Sequence, residues 1–401
     1  MNTLIHFLPI AVILLAACMS LGCGQGTGGG SDELNEEVIK PHREGQYENA
    51  MALAEKALKE AEKTSGPEHP AVATCLSNLA GVHLTKGEYS EAEPLFKRAL
   101  AIKEKVHGSD SADVANGLNN LGELYRAAGD YVAAKPLFIR SLEIREKVYG
   151  RNHPEVATSL NNLGEIHRTL GDYTMAEPLY LRAIAILEEF FGQDDPRVAT
   201  CVNNLALLYH TKRDYARAEP LYIRALAISE KTLDPEHPEL SVSLNNLALF
   251  YRKQGDYGQA ESLFLRALAI SEKALGPEHP KVATILHNMG GLYYAQGDFA
   301  RAEDFYTRAL YTREKVLGPN HSHVSQSLND LAMLYYSQED FEQAESLLRR
   351  SLVISEQAFG SDHPAVATTL ENIAIICRET GREAEAGELD ERAANIHAKQ
   401  R

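Results

Sequence analysis

Histidine side chains recur in this chain of 401 residues at a fixed spacing, and clustered imidazoles could bind a metal or transfer protons. The repeated pairs are His69-Pro70, His153-Pro154, Asp195-Pro196, His237-Pro238, His279-Pro280 and His363-Pro364, with Ser111-Ala112 and His321-Ser322 in the same register. One imidazole every 42 residues is too sparse for a shared metal, and Asp195 and Ser111 would serve equally well as helix N-caps. We therefore predict capping and no metal site, and the isolated His321-x-His323 does not alter this.

Asparagine pairs form a second repeated set, and their amide groups could bond the backbone of a bound peptide. The pairs are Asn119-Asn120, Asn161-Asn162, Asn203-Asn204 and Asn245-Asn246. Asn is unfavourable inside a helix, so its recurrence there requires a reason. The second member persists as Asn78, Asn288 and Asn372, which predicts a structural bond to a neighbouring helix or turn. The first member varies more, and we interpret it as a candidate binding residue.

The first Asn of each pair shares a helix face with the residues four and seven positions further on. The triplets are Asn119-Glu123-Arg126, Asn161-Glu165-Arg168, Asn203-Leu207-His210, Asn245-Leu249-Arg252, His287-Gly291-Tyr294 and Asn329-Met333-Tyr336. A charged row is usually only a solvated face, but this one changes from charged to aromatic, which favours a binding surface. The predicted partner-binding residues are Asn119, Arg126, Asn161, Arg168, Asn203, His210, Asn245, Arg252, Tyr294 and Tyr336.

The rest of the sequence gives no indication of catalysis. It contains no GxSxG, HExxH or GxxxxGK[ST] motif and no GxGxxG between a strand and a helix. Cys75, Cys201 and Cys377 are far apart without a CxxC spacing, and we predict that they are buried thiols. We therefore predict no enzymatic activity, no cofactor and no small-molecule substrate. The net charge of −16, with no block of Lys or Arg, also disfavours nucleic acid as a partner.

The elements that position these side chains can be read from residues 153–194. Val156, Leu160 and Leu163 form one helical stripe, and Tyr180 and Leu187 belong to a second stripe after a Gly-Asp turn. Such a helical hairpin cannot bury its apolar face alone, so neighbouring units must stack. Eight units start at residues 69, 111, 153, 195, 237, 279, 321 and 363. We expect a half repeat before them.

The repeat also resembles a known family. The unit at Ser111 reads Leu118-x-x-Leu121-Gly122-x-x-Tyr125 and then Ala134-x-x-x-Phe138, which matches the tetratricopeptide signature with Leu in place of Trp. The strings LNNLA, GDYxxAEPLYxRALxIxEK and LGPEHP make residues 45–400 similar to the tetratricopeptide domain of kinesin light chains and of similar bacterial proteins. The resemblance implies an all-α, right-handed α-solenoid of 42-residue hairpins, with the first helices lining a concave groove for a peptide or protein. The chain shows no heptad coiled coil of the kind that joins kinesin light chains to the motor, so no motor role is implied.

The N-terminal residues resemble an export segment. Residues 4–17 form an apolar run, and Leu15-Ala16-Ala17-Cys18 resembles a bacterial lipobox, with Cys23 as a second candidate for lipid attachment. The usual Lys or Arg before the apolar run is missing, and a plain signal peptide or a short membrane anchor is the alternative. We assign residues 1–23 to export, 24–44 to a flexible tether and a degenerate cap interrupted by Pro41, and 45–400 to the repeats.

These observations predict a non-enzymatic interaction scaffold that is exported and lipid-anchored in the cell envelope, on the periplasmic side or the outer surface. It would hold an extended peptide or a partner protein in the concave groove through Asn amides and Arg side chains. The alternative is a soluble, cytoplasmic adaptor of the same repeat type whose N-terminus is not processed.

Overall fold

The computed structural model describes residues 31–399, and every regular element in that range is an α-helix. The helices fall into two compact units, residues 31–274 and 275–399, which we describe separately. The first unit contains α1 Ser31–Arg43, α2 Tyr47–Ser65, α3 Pro70–Thr85, α4 Tyr89–His107, α5 Ala112–Ala127, α6 Tyr131–Tyr149, α7 Pro154–Thr169, α8 Tyr173–Phe191, α9 Pro196–Thr211, α10 Tyr215–Thr232, α11 Pro238–Gln254 and α12 Tyr257–Leu275. The second contains α13 Pro280–Gln296, α14 Phe299–Leu317, α15 Ser322–Ser337, α16 Phe341–Phe359, α17 Pro364–Glu379 and α18 Glu383–Lys399.

Within each unit a helix packs against its neighbours in the chain, as in α5 with α6 and α6 with α7. First helices of successive hairpins also meet, as α7 and α9 do. Each hairpin therefore covers the apolar faces of the next, which confirms the predicted all-α solenoid of stacked hairpins.

The predicted caps begin the first helices. His69 Nδ1 accepts a hydrogen bond from the Ala71 backbone N–H at 3.2 Å. Asp195 Oδ1 does the same for Arg197 at 2.9 Å, and Ser111 also caps its helix. The capping role predicted for the histidines is thus confirmed, because the side chains satisfy N–H groups that the helix leaves open.

The turn between the two helices of a hairpin requires a left-handed residue. Glycine fills this position in most hairpins, namely Gly45, Gly87, Gly129, Gly171, Gly255, Gly297 and Gly381. Arg213 and Glu339 occupy the equivalent position with φ of 59° and 61°. A side chain makes this conformation unfavourable, so these two turns carry backbone strain that the glycine turns avoid.

Small residues allow the helices of one hairpin to approach closely. A Cβ added to Gly164 would lie 2.9 Å from a ring carbon of Tyr180. A Cβ on Gly122 would meet the Phe138 ring at 3.0 Å. Neither contact leaves room for an alanine methyl group without a shift, so these glycines fix the separation of α5 from α6 and of α7 from α8.

The start of the repeats differs from the expectation. Helix α1 continues through Pro41, where an interruption was predicted, and it packs on both α2 and α3. The proline lies two residues before the last residue of the helix, so the hydrogen bond that it removes belongs to the final turn. Helix α1, with 13 residues against the 16 of α3, thus pairs with α2 ahead of the eight units.

The described residues include three of the five cysteines. Cys75, Cys201 and Cys377 are buried and not in disulfides, which confirms that prediction. Cys18, Cys23 and the predicted export segment lie outside the described residues. Among the helices of residues 31–399, none is both long and apolar enough to cross a membrane.

Candidate functional site

The predicted binding face lies on the first helices α5, α7, α9 and α11 of one unit and on α13 and α15 of the other. Its outer positions are partly exposed to solvent, namely Arg126, Arg168, His210, Arg252, Tyr294 and Tyr336. Its inner positions are less accessible. Asn119 and Asn203 are each 3% exposed and Asn245 is 8% exposed, while Asn161 is half-buried. The expectation that all these amides are open to a partner is therefore wrong for Asn119, Asn203 and Asn245.

A ladder of amide hydrogen bonds explains this burial. Asn162 Nδ2 donates to Asn119 Oδ1 at 2.9 Å, and Asn204 Nδ2 donates to Asn161 Oδ1 at 2.9 Å. In the second unit Asn372 Nδ2 donates to the first-position Asn329 at 3.1 Å. In these three cases the second Asn of a pair bonds the first-position Asn of the preceding repeat. The structural role predicted for the second member is confirmed, and the first member shares it.

We call the two positions that meet at one junction a rung of this ladder. One rung is formed by ionisable residues. His287 Nε2 lies 2.9 Å from Asp330 Oδ2, and these two residues occupy the positions of the paired asparagines. Both are buried, at 4% and 7% side-chain exposure. A hydrogen bond is therefore maintained at this junction by different side chains, as burial of polar groups requires.

The rung at the α9–α11 junction is open, which means that its two side chains do not form a hydrogen bond. Asn203 and Asn246 stand in the same relation as the bonded pairs, yet neither the Oδ1 nor the Nδ2 atom of either residue has a hydrogen-bond partner. Both side chains are 3% exposed. Unsatisfied buried amides are costly, so the α9–α11 junction differs energetically from the closed α5–α7 and α7–α9 junctions.

The charged part of the face is internally neutralised. Arg126 contacts Glu123 at 2.8 Å and Glu165 at 3.5 Å, and Arg168 lies 3.9 Å from Glu165. The Glu123 carboxylate raises the pKa of Arg126. A carboxylate of a partner would have to compete with Glu123 and Glu165 for these guanidinium groups.

His210 lies at the boundary between the charged and the apolar part of the face. Its ring is 5.5 Å from that of Phe250, and its Nδ1 is 3.5 Å from Tyr222 Oη. Burial, and then the positive charges of Lys253 and Arg252, lower the pKa of His210 to about 4. The imidazole is therefore neutral at pH 7.

A pocket of about 200 Å³ opens beside this histidine. It is lined by Leu207, His210, Thr211, Arg213, Tyr215 and Lys253. The α9–α10 hairpin contributes five of these residues and the last turn of α11 contributes Lys253. Sequence reasoning predicted only His210. Comparison of the repeats in register would have singled out Arg213, because it replaces a turn glycine.

The aromatic part of the face belongs to the second unit. Tyr294 Oη lies 2.7 Å from Ser337 Oγ, and Tyr336 Oη donates to Glu379 Oε1 at 3.3 Å. Each hydroxyl thus contacts the following hairpin, while the ring remains half-exposed. The two tyrosines are spaced by one repeat, as predicted.

The repeated arginines of the second helices make ion pairs with the preceding hairpin. Arg98 pairs with Glu62 at 2.7 Å and Arg140 with Glu104 at 2.8 Å. The same relation to the preceding hairpin recurs in Arg182–Glu146, Arg224–Glu188 and Arg266–Glu230. The described ion pair of Arg308 is with Asp304 of its own helix.

One group of side chains has the composition of a metal site. Ligand atoms of Glu345, Cys377 and Glu385 lie within 4.8 Å of one another. Both carboxylates are already paired with Arg349 and Arg382. Burial raises the pKa of the Cys377 thiol, which disfavours the thiolate that a metal would need. We interpret the cluster as an ion-pair network.

Comparison with known proteins agrees with the repeat architecture. One model described as tetratricopeptide repeat matches residues 42–105, 113–189, 239–315, 287–357 and 323–399, and a second model of the same description matches residues 198–239. No curated protein matches the chain.

Several solved structures are similar. BtubC (BKLC) from P. vanneervenii is 27% identical over 61% of this chain and 92% of its own, with a TM-score of 0.46. A putative kinesin light chain from Podosopora anserina is 26% identical over 51% of this chain and 97% of its own, with a TM-score of 0.42. A Rap protein complexed with Competence and Sporulation Factor is 15% identical over 92% of this chain and 98% of its own, with a TM-score of 0.57.

Proposed function

We propose that this chain, which belongs to the tetratricopeptide repeat family, is a non-enzymatic scaffold that binds an extended peptide or a segment of a partner protein. In each of the two units the binding face is formed by the outer positions of that unit's first helices. The observation that carries the proposal is the contrast between two sets of positions on these helices. The amide positions are Asn in most repeats, whereas the partly exposed positions are, in order, Arg126, Arg168, His210, Arg252, Tyr294 and Tyr336.

The contrast matters because burial and exposure to solvent restrict the type of residue at a position in different ways. A buried position favours a side chain that can hydrogen-bond to the next repeat, and Asn fills it at most junctions while His287 and Asp330 fill it at another. A solvated position with no ligand could be filled by any polar residue, whereas Tyr294 and Tyr336 leave aromatic rings half-exposed, which the hydrogen bonds of their hydroxyls alone do not require. A linear ligand meets a different repeat at each step and can read such a sequence of side chains.

The structure changes the roles that we assign to individual residues. We assign Asn119 and Asn161 to the ladder that fixes the spacing of the helices, because they accept its hydrogen bonds. Asn203 and Asn245 occupy the same position in the next two repeats and are buried. Arg126, Arg168 and Arg252 would meet carboxylates of the partner, and Tyr294 and Tyr336 would contact its apolar side chains. The Rap protein was solved with a bound factor, so the fold that it shares with this chain can accommodate a ligand.

Cross-linking tests the location of the face. A photoreactive phenylalanine analogue is placed at Arg168 or Arg252, and as a control at Leu181, which is 48% exposed on the second helix α8. Peptides selected from a random library against the protein should cross-link at the first-helix positions. Cross-links confined to Leu181 would contradict the proposal.

We further propose that residues 1–23 direct export and that Cys18, or else Cys23, carries a lipid that tethers the protein in the cell envelope. The sequence LAAC at residues 15–18 supports this. The alternative is a cytoplasmic adaptor with an unprocessed N-terminus.

The anchor can be tested in cell fractions. Cys18→Ser should move the protein from the membrane to the soluble fraction, and the mass of the mature wild-type protein should show a cleaved, lipidated N-terminus. An unchanged membrane fraction for both Cys18→Ser and Cys23→Ser would rule out lipid attachment at these cysteines, and an intact Met1 would favour the adaptor.

A further inference from the structure

The pocket beside His210 has three features that binding along the first helices does not by itself require. They are a strained turn and, among the described residues, two cations without an ion pair and a neighbouring pair of buried amides without a hydrogen bond. The pocket is built from the C-terminal end of α9, the following turn and the end of α11, and all of it lies within the unit of residues 31–274. Its polar lining is basic, although the chain as a whole carries a net charge of −16.

The first feature is the strained turn. Arg213 has a φ of 59° at a position where seven other hairpins have glycine. An outlier of this kind persists only where something else favours it, and such residues cluster at functional sites. The gain from placing a long cationic side chain here must exceed the backbone strain, and Arg213 lines the pocket.

The second feature is the pairing of the cations. Neither Arg213 nor Lys253 makes an ion pair with any residue of the described range 31–399. The neighbouring bases do, since Lys212 contacts Glu177 at 3.1 Å and Arg217 contacts Asp214 at 2.6 Å. Two cations of the pocket thus lack a carboxylate, in a region where acidic side chains already neutralise the bases next to them.

The third feature is the open amide rung. Asn203 lies two helical turns before His210 on α9, and Asn246 lies two turns before Lys253 on α11. Their amides are buried and unsatisfied. The α9–α11 junction, which ends in the pocket, is thus the junction of this unit where a buried Asn pair fails to bond, whereas the two preceding junctions are closed.

We propose that this pocket binds an oxyanion, a carboxylate or a phosphoryl group, carried by the peptide that the scaffold holds. The proposal rests on the proposed function and assigns an anchor point to it. Arg213 offers two parallel N–H donors, which match the two oxygens of such a group. Lys253 approaches from the other helix, and His210 Nε2, which has no partner among the described residues, can donate from the base of the pocket.

An anion bound here would also change the protonation of His210. The charged and titratable groups around the ring are Lys253 and Arg252 of α11, Tyr215 and Tyr222 of α10, and Arg213 of the turn. The two α11 cations help to hold the pKa of His210 at about 4. An oxyanion between them and the ring would favour the imidazolium and raise this pKa by more than about one unit.

The test uses inorganic phosphate and three acetylated tetrapeptides with the full-length protein. The peptides are Gly-Gly-Glu-Glu with a free C-terminus, the same peptide amidated, and Gly-Gly-Gln-Gln with a free C-terminus. Affinity is measured by calorimetry and the His210 ring by NMR titration. Binding of both Glu peptides but not of the Gln peptide would identify a side-chain carboxylate. Binding of both peptides with a free C-terminus but not of the amidated peptide would identify the terminal carboxylate.

Two variants and two controls separate the pocket from other effects. Arg213→Gly and Lys253→Gln should each weaken phosphate and peptide binding at least about tenfold, since each removes a charge-assisted hydrogen bond. Arg213→Gly should also melt no lower than wild type, because it relieves the strained turn. Glu339→Gly repeats the backbone change and Lys231→Gln repeats the charge change at an exposed ion pair, and both should bind as wild type does.

Unchanged affinity in both Arg213→Gly and Lys253→Gln would overturn the proposal, as would a pKa of His210 that phosphate does not raise. Phosphate binding that no acidic peptide competes with would exclude the carboxylate and assign the pocket to a phosphoryl group. Cross-links along the first helices would still support the scaffold function if the pocket bound no oxyanion. The scaffold proposal and the pocket proposal can therefore fail separately.

Discussion

Asn204 donates to Asn161 at 2.9 Å across the α7–α9 junction, whereas Asn246 leaves Asn203 unbonded at the next junction. The two junctions have the same residues at the same spacing, so the difference arises in how the helices meet. Loss of an amide should therefore have different consequences at the two places.

Asn161→Ala should lower the free energy of unfolding by about 1–3 kcal/mol, because it leaves the buried Asn204 amide without its acceptor. Asn203→Ala is the matched control at the open rung. It removes an amide that is already unsatisfied and adds a better helix former, so it should change stability by less than about 0.5 kcal/mol. Urea unfolding followed by circular dichroism measures both. Equal losses would show that the open rung is closed in solution.

Glu339→Gly should stabilise the protein by about 1 kcal/mol, because Glu339 holds a left-handed φ of 61° that costs a residue with a side chain roughly this much. The melting temperature checks this. Gly297→Ala makes the reverse change at the equivalent turn, where φ is 78°, and should lower the melting temperature. A destabilised Glu339→Gly variant would mean that the glutamate makes compensating contacts in solution.

Replacing the buried Arg145 by an apolar residue should cost less stability when Ser159 is replaced with it than when Arg145 is replaced alone. Arg145 donates to Ser159 Oγ at 2.9 Å and to Asn116 Oδ1 at 2.8 Å, so Arg145→Leu alone should cost about 2–4 kcal/mol. The next repeat has Leu187 and Cys201 at the corresponding positions. Adding Ser159→Cys should therefore recover more than about 1 kcal/mol, since a matched apolar pair often replaces a buried polar one at little cost.

A double-mutant cycle of Arg145→Leu and Ser159→Cys provides the measurement, with each single variant as the control for the other. Additive losses, with no coupling between the two positions, would contradict the prediction.

His210 should make stability depend on pH between about 6.5 and 4. Its folded pKa of about 4 lies below the value of 6.5 expected for an unfolded histidine, so the unfolded chain binds more protons in this window. The contribution is therefore complete above pH 6.5 and is lost as the pH falls towards 4, by up to about 1.4 kcal/mol per unit.

His210→Gln tests this dependence, because glutamine does not titrate. The stability of the variant should decline less than that of wild type over the same window, measured by thermal melts at several pH values. His363, whose pKa burial also lowers to about 4, remains in both proteins, so parallel declines would contradict the assignment to His210.

The local features of the fold could be predicted from the sequence because each is set by residues that are neighbours in the chain. A helix N-cap such as His153 bonds an N–H two residues away, and the close approach of Gly164 to Tyr180 is fixed within one hairpin. The 42-residue period then extends these features along the chain, and with them the stacking of the hairpins.

Which residues of the candidate site are buried, which are exposed and which lie together could be learned only from the tertiary structure. Helical phase placed Asn119 and Arg126 on one face, but it could not show that the amide is buried against Asn162, 43 residues later, while the guanidinium stays at the surface. Arg213 and Lys253 are 40 residues apart in sequence and line one pocket, because the ends of α9 and α11 lie side by side. Their convergence depends on how successive hairpins pack, which no local pattern in the chain records.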